Sequence, residues 1–216
     1  MNLRIYIRKI LRNYNDTGIL RTIKKSYYYV FRNVHVQRCY RLYRINLQDA
    51  PPSPKINNKF EYKIVTVNDR NIIRQIEQME EWLEGKLTKK LEREGICLVA
   101  MDGDRVSGFN IVSFGEVFIP FVNYKRRFKP FEAWSDQVTV NKDYRRNGLG
   151  ASLRYKIYDE LKKRGIKRFY GGTLLPNEAN LQLCRKVGLK EIIDVNYVKF
   201  FNKERWYLKR IKNESH

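Results

Sequence analysis

The segment at residues 136–153 constrains the fold of this 216-residue chain more than any other. It reads DQVTVNKDYRRNGLGASL, an alternating apolar and polar run typical of a strand, followed by a turn and two glycines. Apolar residues then recur at helical spacing from Leu149 to Leu161. The first amides of a helix lack internal partners and carry partial positive charge, and glycines let ligand oxygens approach the backbone. This order therefore predicts a phosphate-binding loop between a strand and a helix.

Other interpretations of this loop fit less well. Asn147-Gly148 is a strong hairpin signal, but the residues after Gly150 lack the period of a second strand. The dinucleotide pattern Gly-x-Gly-x-x-Gly would need its third glycine where Leu153 stands. The pattern Gly-x-x-x-x-Gly-Lys-Ser/Thr does not occur in the sequence. A phosphate loop of another kind remains the main prediction.

The first 48 residues have the pattern of a basic extension. Residues 1–45 carry eleven basic side chains against one acid, Asp16, and the formal net charge of the chain is +21. Apolar residues recur there at helical spacing in two sets, separated by the sequence NDTG at 15–18. We therefore predict two basic amphipathic helices over residues 1–48. They suit either an anionic membrane surface or packing against the rest of the chain.

A compact domain is expected after a linker. Residues 49–58 combine prolines with small and polar residues, which disfavour both helices and central strands. From residue 59 to residue 216 the pattern predicts a strand, two helices and antiparallel strands, then strand, helix, strand, helix and two strands. That order predicts an α+β domain with a mixed sheet and one parallel crossover.

Composition indicates a reduced, cytoplasmic protein. No run approaches the roughly 18 apolar residues of a membrane-spanning helix, and the first residues lack the apolar core of a secretory signal. The three cysteines are odd in number and widely spaced, which is typical of thiols rather than disulfides. His35 and Cys39 lie four residues apart, but two ligands do not make a zinc site, so no metal is expected.

Two motifs resemble those of the GNAT superfamily of acyltransferases. VNKDYRRNGLG, at 140–150, is similar to the family's central motif, in which Arg/Gln-x-x-Gly-x-Gly/Ala follows the fourth strand; Arg145, Gly148 and Gly150 match. NEANLQLCRKVGL, at 177–189, resembles the second signature. The resemblance covers residues 60–208 and implies a mixed, mostly antiparallel sheet with splayed central parallel strands flanked by helices. A basic helical N-terminal extension would precede that fold.

The resemblance also implies a reaction and a cofactor site. Acetyl-CoA would be the co-substrate, and an amine of a small molecule or protein would attack its thioester directly in a ternary complex. Backbone groups of Val138 and Val140 would pair with the pantetheine arm. The diphosphate would be held by residues Arg145, Arg146, Asn147, Gly148, Leu149, Gly150 and Ala151. Asn177 would cap the next helix and contact the cofactor or a bound water.

Asp136 is the candidate catalytic base. Strand alternation predicts its side chain on the same face as Val138 and Val140, near where some family members keep an acidic base. The structural alternative is a carboxylate that pairs with one of the many arginines. The acceptor-binding segments implied by the family lie at residues 82–90 and 118–131.

The sequence departs from the family at one position. Cys184 stands where the second signature usually carries a tyrosine that can protonate the departing thiolate. Solvent could supply that proton instead, as could Tyr170 or Tyr197. The departure leaves open a second function, a catalytically inactive protein that binds acyl-CoA.

A third possible function is binding to an anionic surface, either a membrane or RNA. No RNA-binding signature accompanies the positive charge, so nucleic acid is not the expected partner. Membrane contact through residues 1–48 would be peripheral, at the inner face of the membrane.

Overall fold

The computed structural model describes residues 35–53 and 59–211. The strands are β1 (His35–Asn46), β2 (Glu61–Ile64), β3 (Ile96–Asp102), β4 (Arg105–Ser113), β5 (Glu116–Ile119), β6 (Tyr124–Arg127), β7 (Glu132–Val140), β8 (Arg168–Leu174), β9 (Lys190–Phe200) and β10 (Lys203–Arg210). The α-helices are α1 (Arg70–Met79), α2 (Leu87–Glu92), α3 (Leu149–Lys163) and α4 (Glu178–Lys186). Short 3-10 helices cover Leu47–Asp49, Glu81–Leu83 and Lys142–Tyr144.

Eight strands form one sheet in the order β10-β9-β1-β8-β7-β4-β3-β2, and β5 and β6 form a separate hairpin. Neighbouring strands of the large sheet are antiparallel except for the central pair, β7 and β8. That parallel pair is short, because Glu132–Trp134 align with Arg168–Tyr170 and the pairing then stops. Both strands continue further, each paired only with its outer neighbour. The predicted α+β fold with splayed central strands is confirmed.

Apolar layers cover both faces of the sheet. On one face α3 and α4 pack against β3, β4 and β7, with Leu153, Ile157 and Leu161 of α3 fully buried. On the other face α1 and α2 cover β3 and β4, and the β5–β6 hairpin covers β7, β8, β1 and β9. The central strands are therefore buried on both faces, which removes the simple apolar–polar alternation from their sequences.

The predicted boundary of the N-terminal extension at residue 48 is wrong. Residues 35–46 form β1, which lies between β8 and β9 and pairs with both, and residues 1–34 lie outside the described part of the chain. Tyr40 and Leu42 face the β5–β6 hairpin, whereas Tyr43 and Ile45 face the layer of α3 and α4, so this strand is buried on both sides. Apolar residues on both faces break the simple alternation of a strand, and those of β1 also satisfy a helical pattern.

The basic residues of β1 are partly paired within the sheet. Arg41 Nη1 lies 2.6 Å from Glu191 Oε2 and its Nε lies 2.7 Å from Asp194 Oδ1, both on β9. Arg41 is therefore neutralised within the sheet and is not one of the basic side chains available for binding an anionic membrane surface. After Leu47–Asp49 the chain has no regular structure at residues 50–53, and residues 54–58 of the predicted linker lie outside the described residues.

Gly172→Ala is expected to destabilise the fold by about 1–3 kcal/mol, because it overpacks a well-filled contact. Tyr40 of β1 crosses β8 at Gly172, where a Cβ would lie 2.7 Å from Tyr40 Oη. Tyr40 is buried and stacks on Phe121, so displacing its ring would disturb that packing. Chemical denaturation measures the change. Gly171→Ala is the control, because a Cβ there meets only Ser135 Cβ at 3.5 Å; equal losses would contradict the packing argument.

Candidate active site

The predicted order of strand, turn, glycines and helix is confirmed, and the hairpin interpretation of Asn147-Gly148 is wrong. β7 ends at Val140, the 3-10 turn Lys142–Tyr144 follows, and α3 begins directly after Gly148. Gly148 has a φ of 73°, in the left-handed region where glycine is strain-free. Arg145 Nε donates to the carbonyl of Val140 at 3.2 Å, which ties the loop to the end of the strand.

The start of α3 leaves a row of amides for an anion. The amides of Ala151 and Ser152 donate to the Gly148 carbonyl at 3.0 and 3.1 Å. The Ala151 amide, which was predicted to bind the diphosphate, is therefore already hydrogen-bonded. Within residues 35–53 and 59–211, the amides of residues 146–150 have no backbone acceptor. A Cβ added to Gly148 would meet no heavy atom within 4 Å, so this side of the loop is open. Open amides at a helix start suit a diphosphate.

The gap between β7 and β8 adjoins this loop. Val138 and Val140 pair with Asn110 and Gly108 of β4, while the parallel pairing to β8 has already ended at Trp134. Beyond Trp134, β7 therefore has a strand partner on one side only. An extended polyamide ligand is the kind of molecule that pairs with such an open strand.

The predicted orientation of Asp136 is wrong. β7 pairs Gln137 with Ile111 but Ser135 with Val112, so Asp136 is the extra residue of a β-bulge. A bulge breaks the strict alternation of a strand and re-aims side chains. Val138 and Val140 pack on the face of α3, whereas Asp136 contacts Lys90 of α2 and points to the opposite face.

Asp136 belongs to a three-residue polar cluster. Lys90 Nζ lies 2.8 Å from Asp136 Oδ2 and 3.2 Å from Ser113 Oγ, and Ser113 Oγ donates a short hydrogen bond to the same carboxylate oxygen. The Asp136 side chain is only 9% exposed. The alternative to a catalytic role for Asp136 was an ion pair with an arginine; the structure shows an ion pair with a lysine, Lys90. The three residues come from β7, α2 and β4, so no local sequence pattern could have indicated the cluster.

A second carboxylate lies on the same side of the sheet. Thr139 Oγ1 donates to Glu80 Oε1 at 3.0 Å, and Gln137 Nε2 donates to Thr139 Oγ1 at 2.8 Å. Gln137 and Thr139 follow the bulge on β7, and Glu80 follows α1. The carboxylates of Asp136 and Glu80 and the ammonium group of Lys90 therefore lie beside the second half of β7. Polar residues at alternate positions of β7 were the available signal in the sequence.

The candidate proton donors differ in position. Cys184 of α4 is buried, and burial raises the pKa of its thiol. Tyr170 lies where β7 and β8 are still paired and donates to Glu132 Oε1 at 3.1 Å. Tyr197 lies on β9, two strands away from β8. None of these three side chains makes a hydrogen bond to the Asp136 cluster within the described part of the chain.

Tyr40 is a residue that the sequence did not indicate. Its phenol lies against Gly172, two residues past the last paired position of β8 and therefore at the start of the gap. Burial, with a smaller contribution from the charge of Asp136, raises the pKa of the phenol. Its position depends on where β1 inserts, which no local pattern indicates.

Two other polar residues hold the site in place. Asn177 caps α4, since its side-chain oxygen accepts from the Asn180 amide at 3.2 Å; this part of its prediction is confirmed. Arg154 of α3 is buried, donates a short hydrogen bond to Ser135 Oγ, and stacks over Phe169 with 5.6 Å to the ring centroid. Burial lowers the pKa of this guanidinium. It fixes α3 to β7 immediately before the bulge.

Neither a metal cluster nor a membrane-spanning helix occurs within the described residues. No three His, Cys, Asp or Glu side chains of this part come together in a way that could hold an ion. None of its helices is long and apolar enough to cross a bilayer.

Comparisons with known proteins agree with this geometry. The model of the acetyltransferase (GNAT) family matches residues 61–189. A GCN5-related N-acetyltransferase from Sphaerobacter thermophilus is 14% identical, with 93% of this chain and 59% of that chain covered and a TM-score of 0.55. A glucosamine N-acetyltransferase region of a fungal multi-domain GH3 β-N-acetylglucosaminidase is 15% identical, with 82% and 23% covered and a TM-score of 0.59.

These structural similarities concern the fold, because both identities are low. This chain spans less than two thirds of the length of either protein. Comparison with curated protein sequences gave no match. β1, which carries Tyr40, lies outside the residues that the family model covers. Because that model spans more than half of the sequence, this chain belongs to the acetyltransferase (GNAT) family.

Proposed function

We propose that this protein transfers an acetyl or other short acyl group from acyl-CoA to an amine acceptor, by direct attack in a ternary complex. The observation that carries the proposal is the open β7–β8 gap beside unpaired amides at the start of α3. The amides of residues 146–150 hold the diphosphate, with Arg145 and Arg146 adding positive charge. Val138 and Val140 hold the pantetheine arm through their backbone, and Asn177 supports the cofactor from the start of α4.

The acceptor approaches from the face of α1 and α2. This face carries Asp136, Glu80 and Lys90, so a bound amine would meet carboxylates there. Asp136 accepts the proton of the attacking amine, directly or through a water. The bulge turns its side chain toward the acceptor side of β7, the strand that binds the thioester. The carboxylates also favour a cationic acceptor, because opposite charges attract more strongly where water is partly excluded.

Tyr40 protonates the departing CoA thiolate. The position of its phenol at the start of the gap supports this role, because a donor must lie within reach of the sulfur. A tyrosine carries its proton at neutral pH, and burial raises the pKa of this phenol further, so the proton is present before the thiolate forms. Tyr40 would take the role of the tyrosine whose usual position Cys184 occupies; the Cys184 thiol is buried and lies 4.0 Å from Asn180 Oδ1.

Tyr40→Phe is expected to lower kcat about ten-fold while the KM for acetyl-CoA changes less than about two-fold. The matched control is Tyr43→Phe, because Tyr43 lies on the opposite face of the same strand and its buried hydroxyl has no partner among the described residues. Steady-state thiol release measures both variants. Equal turnover of Tyr40→Phe and Tyr43→Phe would exclude the phenol as proton donor.

The second candidate function is an acyl-CoA-binding protein without catalysis. Cys184 at the usual tyrosine position favours it, because one expected proton donor is missing. Thiol release from acetyl-CoA, measured across a panel of amines, peptides and amino sugars, separates the two functions. Release with any acceptor supports the enzyme, whereas CoA binding without release supports the sensor.

Cytoplasmic location and membrane contact through residues 1–48 stay predictions. Residues 35–46 of that segment are β1, which leaves only residues 1–34 for such a contact. Their eight basic side chains against one acid would favour an anionic inner membrane face.

A further inference from the structure

Large apolar side chains are exposed mainly at two hairpins. Ten such residues are exposed in the described part of the chain, and eight of them lie on the β9–β10 and β5–β6 hairpins. Tyr207 lies on the other face of β10 from Trp206 and Leu208, and we call the remaining seven the aromatic ridge: Phe118, Phe121, Tyr124, Phe200, Phe201, Trp206 and Leu208. Phe201 is 60% exposed and Leu208 is 66% exposed. Exposed apolar groups gathered in one place mark interaction surfaces, whereas scattered ones do not.

The two hairpins form one surface. Trp206 Nε1 donates to the Val122 carbonyl at 2.7 Å, and Asn123 Nδ2 donates to Glu204 Oε2 at 2.8 Å. These bonds join the turn of β5–β6 to the start of β10. The two hydrogen bonds therefore fix the β5–β6 hairpin to β10, and the ridge residues of the two hairpins belong to one surface.

The turn between β9 and β10 carries an unfavourable backbone conformation. Phe201 has a φ of 50°, in the left-handed region where a bulky residue is an outlier and Gly or Asn is preferred. It contacts Phe200, with ring centroids 4.8 Å apart. An aromatic residue at such a turn lowers stability and leaves its ring in solvent. Retained strain of this kind is characteristic of functional sites.

The ridge is also strongly basic. Residues 116–127 and 199–210 contain eight Lys and Arg side chains against two acids, Glu116 and Glu204. Each of these acids pairs with a lysine of the same surface, Lys125 at 3.3 Å and Lys199 at 3.5 Å. The remaining positive charge attracts anionic partners.

Charge complementarity disfavours two occupants that the chain itself could supply. A second copy would bring two basic ridges together, and like charges at an interface oppose association. Residues 1–34 carry eight basic side chains against Asp16 and would be repelled in the same way.

We propose that the aromatic ridge docks on an anionic lipid bilayer, with Phe200, Phe201 and Leu208 in the headgroup region and the surrounding Lys and Arg side chains on lipid phosphates. Trp side chains prefer this boundary, and Trp206 lies two residues before the aliphatic Leu208 on β10, so the two side chains share one face of the strand. The docking does not depend on acyl transfer, so it goes beyond the proposed function.

The test is partitioning of the full chain onto vesicles of phosphatidylcholine with about 30% phosphatidylglycerol, followed by co-sedimentation and Trp fluorescence. The double variant Phe201→Asn with Leu208→Thr removes ridge side chains without harming the fold, because Asn suits the left-handed turn and Thr suits a strand. The control is Trp82→Gln, which removes an exposed aromatic residue outside the ridge.

We expect the double variant to partition about ten-fold more weakly and Trp82→Gln to change by less than about two-fold. Unchanged partitioning of the double variant would overturn the proposal, as would equal binding to vesicles of phosphatidylcholine alone. Loss of single-stranded RNA binding in the double variant with unchanged vesicle binding would assign the ridge to nucleic acid. A wild-type dimer that becomes a monomer in the double variant would assign it to self-association. CoA affinity, measured in parallel, separates failure of this proposal from failure of the proposed function.

Discussion

Replacing Gly148 with valine is expected to weaken CoA binding about 100-fold or more. Gly148 has a φ of 73°, and a β-branched residue in that region costs about 1–2 kcal/mol, so the loop will shift to relieve the strain. The shift disperses the amides of residues 146–150, and each hydrogen bond to a charged group contributes about 1.5–3 kcal/mol. Loss of two such bonds gives the expected factor, since about 1.4 kcal/mol is ten-fold. Isothermal titration calorimetry with CoA measures it.

Gly165→Val is the matched control for this experiment. Gly165 follows the other end of α3 with the same φ of 73°, and a Cβ added at either glycine meets no heavy atom within 4 Å. Both variants should therefore lose similar thermal stability, while Gly165→Val changes CoA affinity by less than about three-fold. Equal loss of CoA affinity in the two variants would mean that strain alone, and not the amide row, explains the result.

Asp136→Asn is expected to lower kcat about 100-fold while acetyl-CoA affinity changes less than about three-fold. An amide keeps the shape of the side chain and can still bond to Ser113, but it cannot accept the proton of the attacking amine. Pre-steady-state and steady-state thiol release across a pH series measure the change. Turnover that stays unchanged at every pH would remove Asp136 from the mechanism.

The variant Lys90→Met distinguishes the role of Asp136 as a base from its role in the ion pair with Lys90. Both variants break the Lys90–Asp136 contact of 2.8 Å, but only Asp136→Asn removes the carboxylate. We expect Lys90→Met to reduce stability as much as Asp136→Asn and to retain most of the turnover. If the two variants lose turnover equally, the ion pair is what matters and Asp136 is a positioning residue.

The phosphate loop and the α+β class were predictable because they depend on near neighbours. A helix start is set by its own first residues, so Gly148 and Leu149 alone indicate where unpaired amides occur. Asn177 is a similar case, since its cap contact reaches only to Asn180. Alternation and turn residues likewise give the order of most strands.

The N-terminal boundary was not predictable from the same signals. β1 is a strand because β8 and β9 each offer it a free edge, and those edges are formed by residues more than a hundred positions away. Unpaired strand edges are filled wherever a segment can pair with them. The apolar residues of β1 also fit a helical period, so the sequence could not decide between the two.

The sequence by itself determined where this protein can hold an anionic cofactor, because backbone amides at a helix start are fixed by adjacent residues. Only the tertiary structure decided which side chains surround the reacting centre. The bulge at Asp136 appears only when β7 is aligned with β4, and Lys90 and Tyr40 reach the site from α2 and β1. Side-chain direction on a strand depends on its partner's register, and that register is set by contacts distant in the chain.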